Sequence, residues 1–409
     1  MNRTTGWMGL LAALSLPAAQ AANQEIRALF QPDPSQPRNN VFINQTPNSG
    51  YCANYPGECS KHNMFSIQIP VRFNSTRAIT PGNGLDLKVP ANWRQLTVTH
   101  RDTQETETVE VRIIGIGSNF NLSDSAAQLV GVSDILEGHQ KLWTGSSWVY
   151  APSPCQYSGV GAYTPATYRF FWKAPVEAAC TKVAAYRIPS MYFDTLDFAY
   201  ELRTPNPLGM SSGLYNGSLT YSLGPGGDFQ LGSMLAPDDA SLTLDFVLDV
   251  QHTLKVDLPP GGSKVVLEPE GGWHSWIANS GRPGRIYRDQ AFHLSASSRF
   301  KVMMQCNSFS FYGAECKLIG SQIPNPGVTW VLTQMSLPAG ITGLDNKPVV
   351  NLTLKNNEWL GPFQPGHYVD RKPGNLRFEM PADAIAYVLR PGVNDTFRGD
   401  ITVIWDSEV

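Results

Sequence analysis

The decapeptide Ser241–Val250, SLTLDFVLDV, places Leu242, Leu244, Phe246, Leu248 and Val250 at every second position. Successive side chains of a strand point to opposite faces, so this spacing makes one apolar face and one polar face. The same period recurs in FSIQIPVRF, where Phe65, Ile67, Ile69, Val71 and Phe73 share a face, and at Val109, Val111 and Ile113. Further strands are expected at 96–99, 168–172, 215–223, 253–258, 300–306, 328–335, 349–354 and 397–405. Between them stand Pro81-Gly82-Asn83-Gly84, Gly224-Pro225-Gly226-Gly227 and Pro259-Pro260-Gly261-Gly262, residue types that set turns and interrupt helices. Only 128–136 and 381–388 suggest short helices. The expected fold is all-β, in two β-sandwich domains.

The 409 residues are 42% apolar and 16% charged, with a formal charge of −3. That is apolar enough for sizeable cores, and too evenly charged for a nucleic-acid binder or a polybasic membrane binder. Arg3, the apolar run Trp7–Leu16 and Ala19-Gln20-Ala21 have the layout of a cleaved leader. Ten apolar residues reach only about 15 Å as a helix, half a bilayer core. Residues 1–21 are therefore expected to be a signal peptide, and the mature chain, beginning at Ala22, to be exported.

Six cysteines fall in three local couples: Cys52 with Cys59, Cys155 with Cys180, and Cys306 with Cys316. In an exported chain an even count suggests disulfides, and short loops lose least entropy on closure, so local pairing is expected. No couple is C-x-x-C and no His pair accompanies them, so no metal is expected. The seven histidines (His62, His100, His139, His252, His274, His293, His367) are scattered and read as turn or surface residues. Asp102, Glu105, Glu107 and Glu110 read as a solvated strand face rather than a glycosidase's carboxylate pair. Gly115-Ile116-Gly117 lacks the rest of a dinucleotide fingerprint. Arg398-Gly399-Asp400 falls inside an expected strand, whereas tripeptide recognition needs a loop tip. No catalytic residue and no cofactor is expected, and the chain does not read as an enzyme.

Aromatic residues crowd the stretch from Trp143 to Trp172. Phe170 and Trp172 alternate as strand residues and are expected in the core. Trp143, Trp148, Tyr157 and Tyr163 lie among Gly, Ser and Pro, and are expected to be exposed and to bind a ligand. Flat rings beside hydrogen-bonding tips suit a sugar or protein surface.

Tyr215-Asn216-Gly217-Ser218-Leu219-Thr220-Tyr221 is echoed by Phe397-Arg398-Gly399-Asp400-Ile401-Thr402-Val403 near the end of the chain. The echo places the end of a first domain shortly after the first copy. With one more strand, 241–250, the boundary falls near Gln251, giving domains 22–251 and 252–409.

The strings HTLKVDLPPGGSKVVLEPEGGW (His252–Trp273), YRDQAFHLSASSRF (Tyr287–Phe300), FQPGHYVDRKPG (Phe363–Gly374) and FRGDITVIWDSEV (Phe397–Val409) resemble the minor, tip-type subunits of bacterial chaperone–usher fimbriae. LYNGSLTYSLGPGGDFQLG (Leu214–Gly232) is similar to the same family, so the resemblance covers about half the chain. It implies a distal N-terminal domain at the fibre tip and a C-terminal immunoglobulin-like pilin domain lacking its last strand. Its implied partners are a periplasmic fimbrial chaperone, an outer-membrane usher and an adjacent subunit that donates a strand. Phe397, Ile401, Val403 and Trp405 would form the edge strand to which the partner adds, close to the end of the chain. The mature start ANQEIRALFQPDPSQPRNN has no long alternating apolar arm to donate, which places the subunit at an end of the fibre, on the cell surface. Two functions follow: an adhesin binding a host or surface glycan or receptor through 22–251, or a structural tip and assembly initiator with no ligand of its own.

Overall fold

The computed structural model describes residues 22–278, 284–307, 313–322 and 325–407, and the expected leader, residues 1–21, lies outside them. Its strands enclose two main cores: one gathers buried side chains from Ile26 to Val250, the other from Phe292 to Leu376. The main strands of the first are β1 (Ala22–Phe30), β2 (Phe65–Ile69), β3 (Arg94–His100), β4 (Thr106–Leu122), β5 (Gln156–Tyr163), β6 (Thr167–Lys173), β7 (Leu196–Arg203), β8 (Gly213–Ser222) and β9 (Ser241–Val250). The all-β expectation holds, and β9 buries the five alternating residues that opened the sequence argument.

FSIQIPVRF is not one strand. Pro70 has no N–H to give a ladder, and the chain changes partners there. β2 pairs with β7, whereas Phe73–Ser75 pairs with Met191–Phe193 and Leu235–Pro237. The expected helix 128–136 is likewise two, Ala126–Val130 and Ile135–Leu142, parted by Gly131 at φ 80°. Ser125 caps the first through a capping box with Gln128, and Asp134 caps the second. The helix expected at 381–388 is present as Ala382–Val388.

β4 is the hub. Its first half pairs with β3 and its second half with β6, while β7 runs along the opposite edge. Gly115 and Gly117 serve packing here: a Cβ on Gly115 would stand 2.6 Å from the Phe171 ring, and one on Gly117 2.6 Å from the Phe170 carbonyl. The bare backbone lets Phe171 lie against the strand and stack on Tyr51, centroids 4.2 Å apart. Tyr51, Cys52, Cys59, Met64, Val160, Phe171 and Ala199 thus form a small apolar cluster of their own.

All three local cysteine couples are joined, with Cα–Cα distances of 5.6, 5.7 and 5.8 Å along the chain. β9 is flanked on both sides, by antiparallel β8 and by β1 running parallel from Ala22↔Leu242 to Phe30↔Val250. The segment at the expected mature start, Ala22–Phe30, is therefore a strand of the first sandwich's own sheet. Its second half does alternate, with Ile26, Ala28 and Phe30 buried, which the sequence reading missed.

The second core lies between two sheets built from β10 (Leu254–Asp257), β11 (Ile286–Ala296), β12 (Phe300–Cys306), β13 (Glu315–Ile319), β14 (Val328–Ser336), β15 (Trp359–Pro365), β16 (Val369–Glu379) and β17 (Ile401–Ser407). One sheet runs β10-β11-β16-β14-β13; the other runs from Ile341–Thr342 through β15 and β12 to β17. Phe292 and Leu294 from the first meet Phe300, Val302 and Met304 from the second.

Gly115→Ala should lower stability by about 2–3 kcal/mol, because its methyl group is driven into the Phe171 ring. Phe171→Leu in the same chain should restore part of the loss. Urea unfolding measures both, and a Gly115→Ala midpoint equal to wild type would remove the close-packing account.

Candidate functional site

Of the two core-bearing sheets in the second sandwich, the smaller ends at β17. Among the described residues β17 is laddered on one side only, to β12, from Phe300↔Ser407 to Cys306↔Ile401. Ile401, Val403 and Trp405 pack against the second core, and the Trp405 ring lies 5.1 Å from Phe292 and 5.9 Å from Phe300. Yet none of the seven residues of β17 is fully buried, whereas β9 buries every second one. The two strands have similar alternation, so the difference comes from the second neighbour that β17 lacks among the described residues. β10, at one edge of the larger sheet, behaves the same way: among the described residues it pairs only with β11, and Leu254 and Val256 are partly buried against the same core. Trp405 reaches Phe292 on β11, the strand β10 borders, so half-covered residues of both edges abut one stretch of core. On the polar side, Lys301 pairs with Asp406 at 3.4 Å and sits over the Trp359 ring.

Phe397 does not belong to this strand, contrary to the expectation. It precedes β17, packs 6.2 Å from the Tyr387 ring, and is followed by Arg398, whose backbone exchanges two hydrogen bonds with Ile319 of β13. The chain crosses from one sheet to the other at Gly399, where a Cβ would stand 2.7 Å from the Lys317 carbonyl. Arg398-Gly399-Asp400 is exposed just ahead of β17, tied down at Arg398 rather than presented on a loop tip.

The four aromatic candidates separate. Trp143 and Trp148 are 2% and 0% exposed, so the expectation that they face solvent is corrected. Trp148 stacks on Trp172 at 4.9 Å, and its carbonyl accepts the Trp172 Nε1–H at 2.7 Å. Trp143 meets it edge-on at 5.2 Å. Tyr157 and Tyr163 are exposed on β5, opposite Trp172 and Tyr168 respectively. Six residues apart on one strand, they do not converge with each other.

The segment 143–150 turns inward because Lys182 gathers it. The ammonium, 2% exposed, donates to the carbonyls of Ser147 and Tyr150 at 3.1 Å each and lies 3.5 Å from that of Gly145. Gly145 and Ser146, at φ 74° and 72°, make the tight bend. Sequence reasoning missed Lys182, although Cys180 and Lys182 are two apart on the strand Cys180–Val183 and so share its buried face. It also misjudged His100 and His139, which are buried, and Glu105, which accepts hydrogen bonds from Tyr215 and Ser211. The His139 imidazole is held below its ordinary pKa by burial. Among the described residues no three His, Cys, Asp or Glu side chains gather as a metal site.

No protein-family model matches the chain. No curated protein matches it. Among solved structures it is similar to the adhesive subunit CfaE of the CFA/I fimbria of enterotoxigenic Escherichia coli, with 10% identity over 95% of this chain and 99% of that one, at a TM-score of 0.23. It is similar also to a chaperone–tip adhesin complex of CFA/I fimbriae, with 11% identity over 95% and 97% of the chains and a TM-score of 0.27. A third is the CsuC–CsuE chaperone–tip pre-assembly complex of the archaic Csu pili of Acinetobacter baumannii, with 11% identity over 95% and 99% and a TM-score of 0.21.

Burial pushes Lys182 down to about 8 from 10.5. The fold therefore favours the neutral amine: the stability it confers is fully present above 10.5 and is lost as pH falls through about 8. Urea midpoints of the wild type should rise between about pH 7 and about pH 9.5, and Lys182→Met should flatten that rise. An unchanged slope in the variant would show that Lys182 does not carry it.

Proposed function

We propose that this chain is a tip subunit of a chaperone–usher fimbria, with 252–409 as an immunoglobulin-like pilin domain one strand short and 22–251 as the distal domain. The observation that carries the reading is the contrast between β9, laddered on both sides, and β17, laddered on one with its core-facing residues half covered. An added strand would pair the free edge of β17 and cover Ile401, Val403 and Trp405, with main-chain bonds giving affinity and alternate side-chain pockets giving specificity. During export a periplasmic chaperone supplies that strand, and at the outer-membrane usher an adjacent subunit replaces it. β1 is committed to β9, so the mature start is not a free arm, which suits a subunit that accepts a strand without donating one. The resemblance of His252–Trp273, Tyr287–Phe300 and Phe363–Gly374 to fimbrial tip subunits supports the same assignment.

In this reading the protein is exported through the periplasm to the cell surface, and the distal domain mediates adhesion to a glycan or surface receptor without catalysing a reaction. Tyr157 and Tyr163 are the aromatic candidates a ligand can reach. The second reading is a structural tip and assembly initiator with no ligand. It is favoured by the burial of Trp143 and Trp148, which leaves the exposed rings separated.

Titrating the purified full chain with an alternating apolar donor-strand peptide from a fimbrial subunit should raise its melting temperature by about 10 °C or more. Val403→Asp should abolish the rise, and no stabilisation of the wild type would end the incomplete-domain reading. On an array of host glycans the full chain should give signals that Tyr163→Ala or Tyr157→Ala reduces at least about tenfold. A blank array, together with shortened fibres when the gene is deleted, would favour the initiator.

A further inference from the structure

Gln251-His252-Thr253 joins the last strand of the first sandwich to the first strand of the second, and the contacts around it are organised by two histidines. His252 Nε2 lies 2.9 Å from the Met210 carbonyl, and its Nδ1 lies 3.1 Å from the Ser297 hydroxyl at the β11–β12 corner. Ser297 Oγ also accepts the Thr253 N–H at 2.9 Å, and the Ser297 N–H donates to the Thr253 carbonyl at 3.0 Å. The His252 ring meets Phe30 edge-on at 5.5 Å. His100, 1% exposed, repeats the pattern: its Nε2 lies 3.0 Å from the Ser212 carbonyl, and its Nδ1 accepts the N–H groups of Asp102 at 3.1 Å and Thr103 at 2.9 Å. Between them the Ser211 N–H points to Tyr215 Oη at 2.9 Å and Glu105 Oε2 at 3.4 Å. Met210-Ser211-Ser212 is thus held by one imidazole from each side and by a carboxylate.

A carbonyl oxygen only accepts, so both Nε2 atoms carry the proton and both Nδ1 atoms are bare acceptors. We propose that the His252 imidazole, which bridges Met210 of the first sandwich and Ser297 of the second, makes the junction acid-labile, so that its protonation frees the second sandwich to move relative to the first. A proton at Nδ1 of His252 faces the hydroxyl that donates to it, and the buried Ser297 must then find another acceptor. The charged groups on the surrounding elements are Asp102 beside His100, Glu105 across Ser211, Arg299 on the second sandwich near Glu105, and Asp249, which accepts from Gln251. No carboxylate hydrogen-bonds to either ring among the described residues, so none stabilises an imidazolium there. Burial, outweighing the Met210 carbonyl, already holds His252 below its ordinary value of 6.5, so the stability it confers is present above 6.5 and lost as pH falls through the folded pKa.

The test compares the full chain at about pH 7.5 and about pH 5, by small-angle X-ray scattering and by the rate of proteolysis within Gln251–Thr253. Between the ordinary value of 6.5 and the lower folded pKa of His252, each pH unit of descent raises the open population by up to about tenfold, so cleavage should accelerate severalfold or more and the radius of gyration should increase. The variant His252→Gln, which cannot charge, should lose both responses. If that variant does not fold, the ring-proton NMR titrations of His252 in the wild type should track the opening. Identical scattering and cleavage at both pH values, a response that persists in the folded variant, or titrations uncoupled from opening would overturn the proposal.

Discussion

A β-strand carries hydrogen-bonding groups on two edges, and the edge of β17 left unpaired among the described residues is the constraint that governs the rest of the molecule. In the first sandwich the corresponding problem is solved within the chain. β1 returns beside β9 in parallel, completes its ladder and adds Ile26, Ala28 and Phe30 to the core. In the second sandwich β17 and β10 each end a sheet, and their core-facing residues stay half wet. An ordinary edge strand is shielded by charge or by proline. β17 carries Asp406, paired with Lys301, on its polar face, but nothing among the described residues covers Ile401, Val403 and Trp405.

The first sandwich is closed by means other than alternation alone. Its hub strand must pair with four neighbours, Met191–Phe193 among them, and still leave room for Phe171, and two glycines supply that room. The Cys52–Cys59 clip then fixes the helical turn bearing Tyr51 over the ring. Inside, Lys182 is buried without a carboxylate, which is tolerable because two backbone carbonyls sit at hydrogen-bonding distance and a third lies close by. This polar anchor is what draws Trp143 and Trp148 into the core.

Strand content was legible from periodicity because a half-buried strand repeats every two residues: β9 and β12 lie within a residue of where that period puts them. The disulfides were legible because short loops pair most readily. The fate of Trp143 and Trp148 was not, since Gly145, Ser146 and Ser147 read locally as an exposed turn, while the ammonium that buries them comes from a strand more than thirty residues on. The pairing of β1 with β9 was equally hidden, because a parallel contact over two hundred residues leaves no local mark. Phe397 was assigned by continuing the alternation of β17 backwards, and Gly399 gave the only hint that the chain changes sheets there.

The energetics of the open edge set a limit on what can fill it. Fully burying an aliphatic or aromatic side chain is worth about 1.5–3 kcal/mol, and β17 has already gained roughly half of that for each of its three core-facing residues. The remainder, a few kcal/mol, falls short of the 4–15 kcal/mol lost in translational and rotational freedom when a separate chain binds. Each main-chain hydrogen bond adds only about 0.5–1.5 kcal/mol net, because water bonds these groups in the unpaired state, so affinity grows with the length of edge that is paired. A strand that covered β17 alone would therefore bind weakly. One that also covered Leu254 and Val256 on β10 would gain from both edges at once, and its own alternating side chains would complete the core from within. On the proposed reading the occupant is therefore an extended segment, apolar at every second residue, long enough to reach both sheet edges.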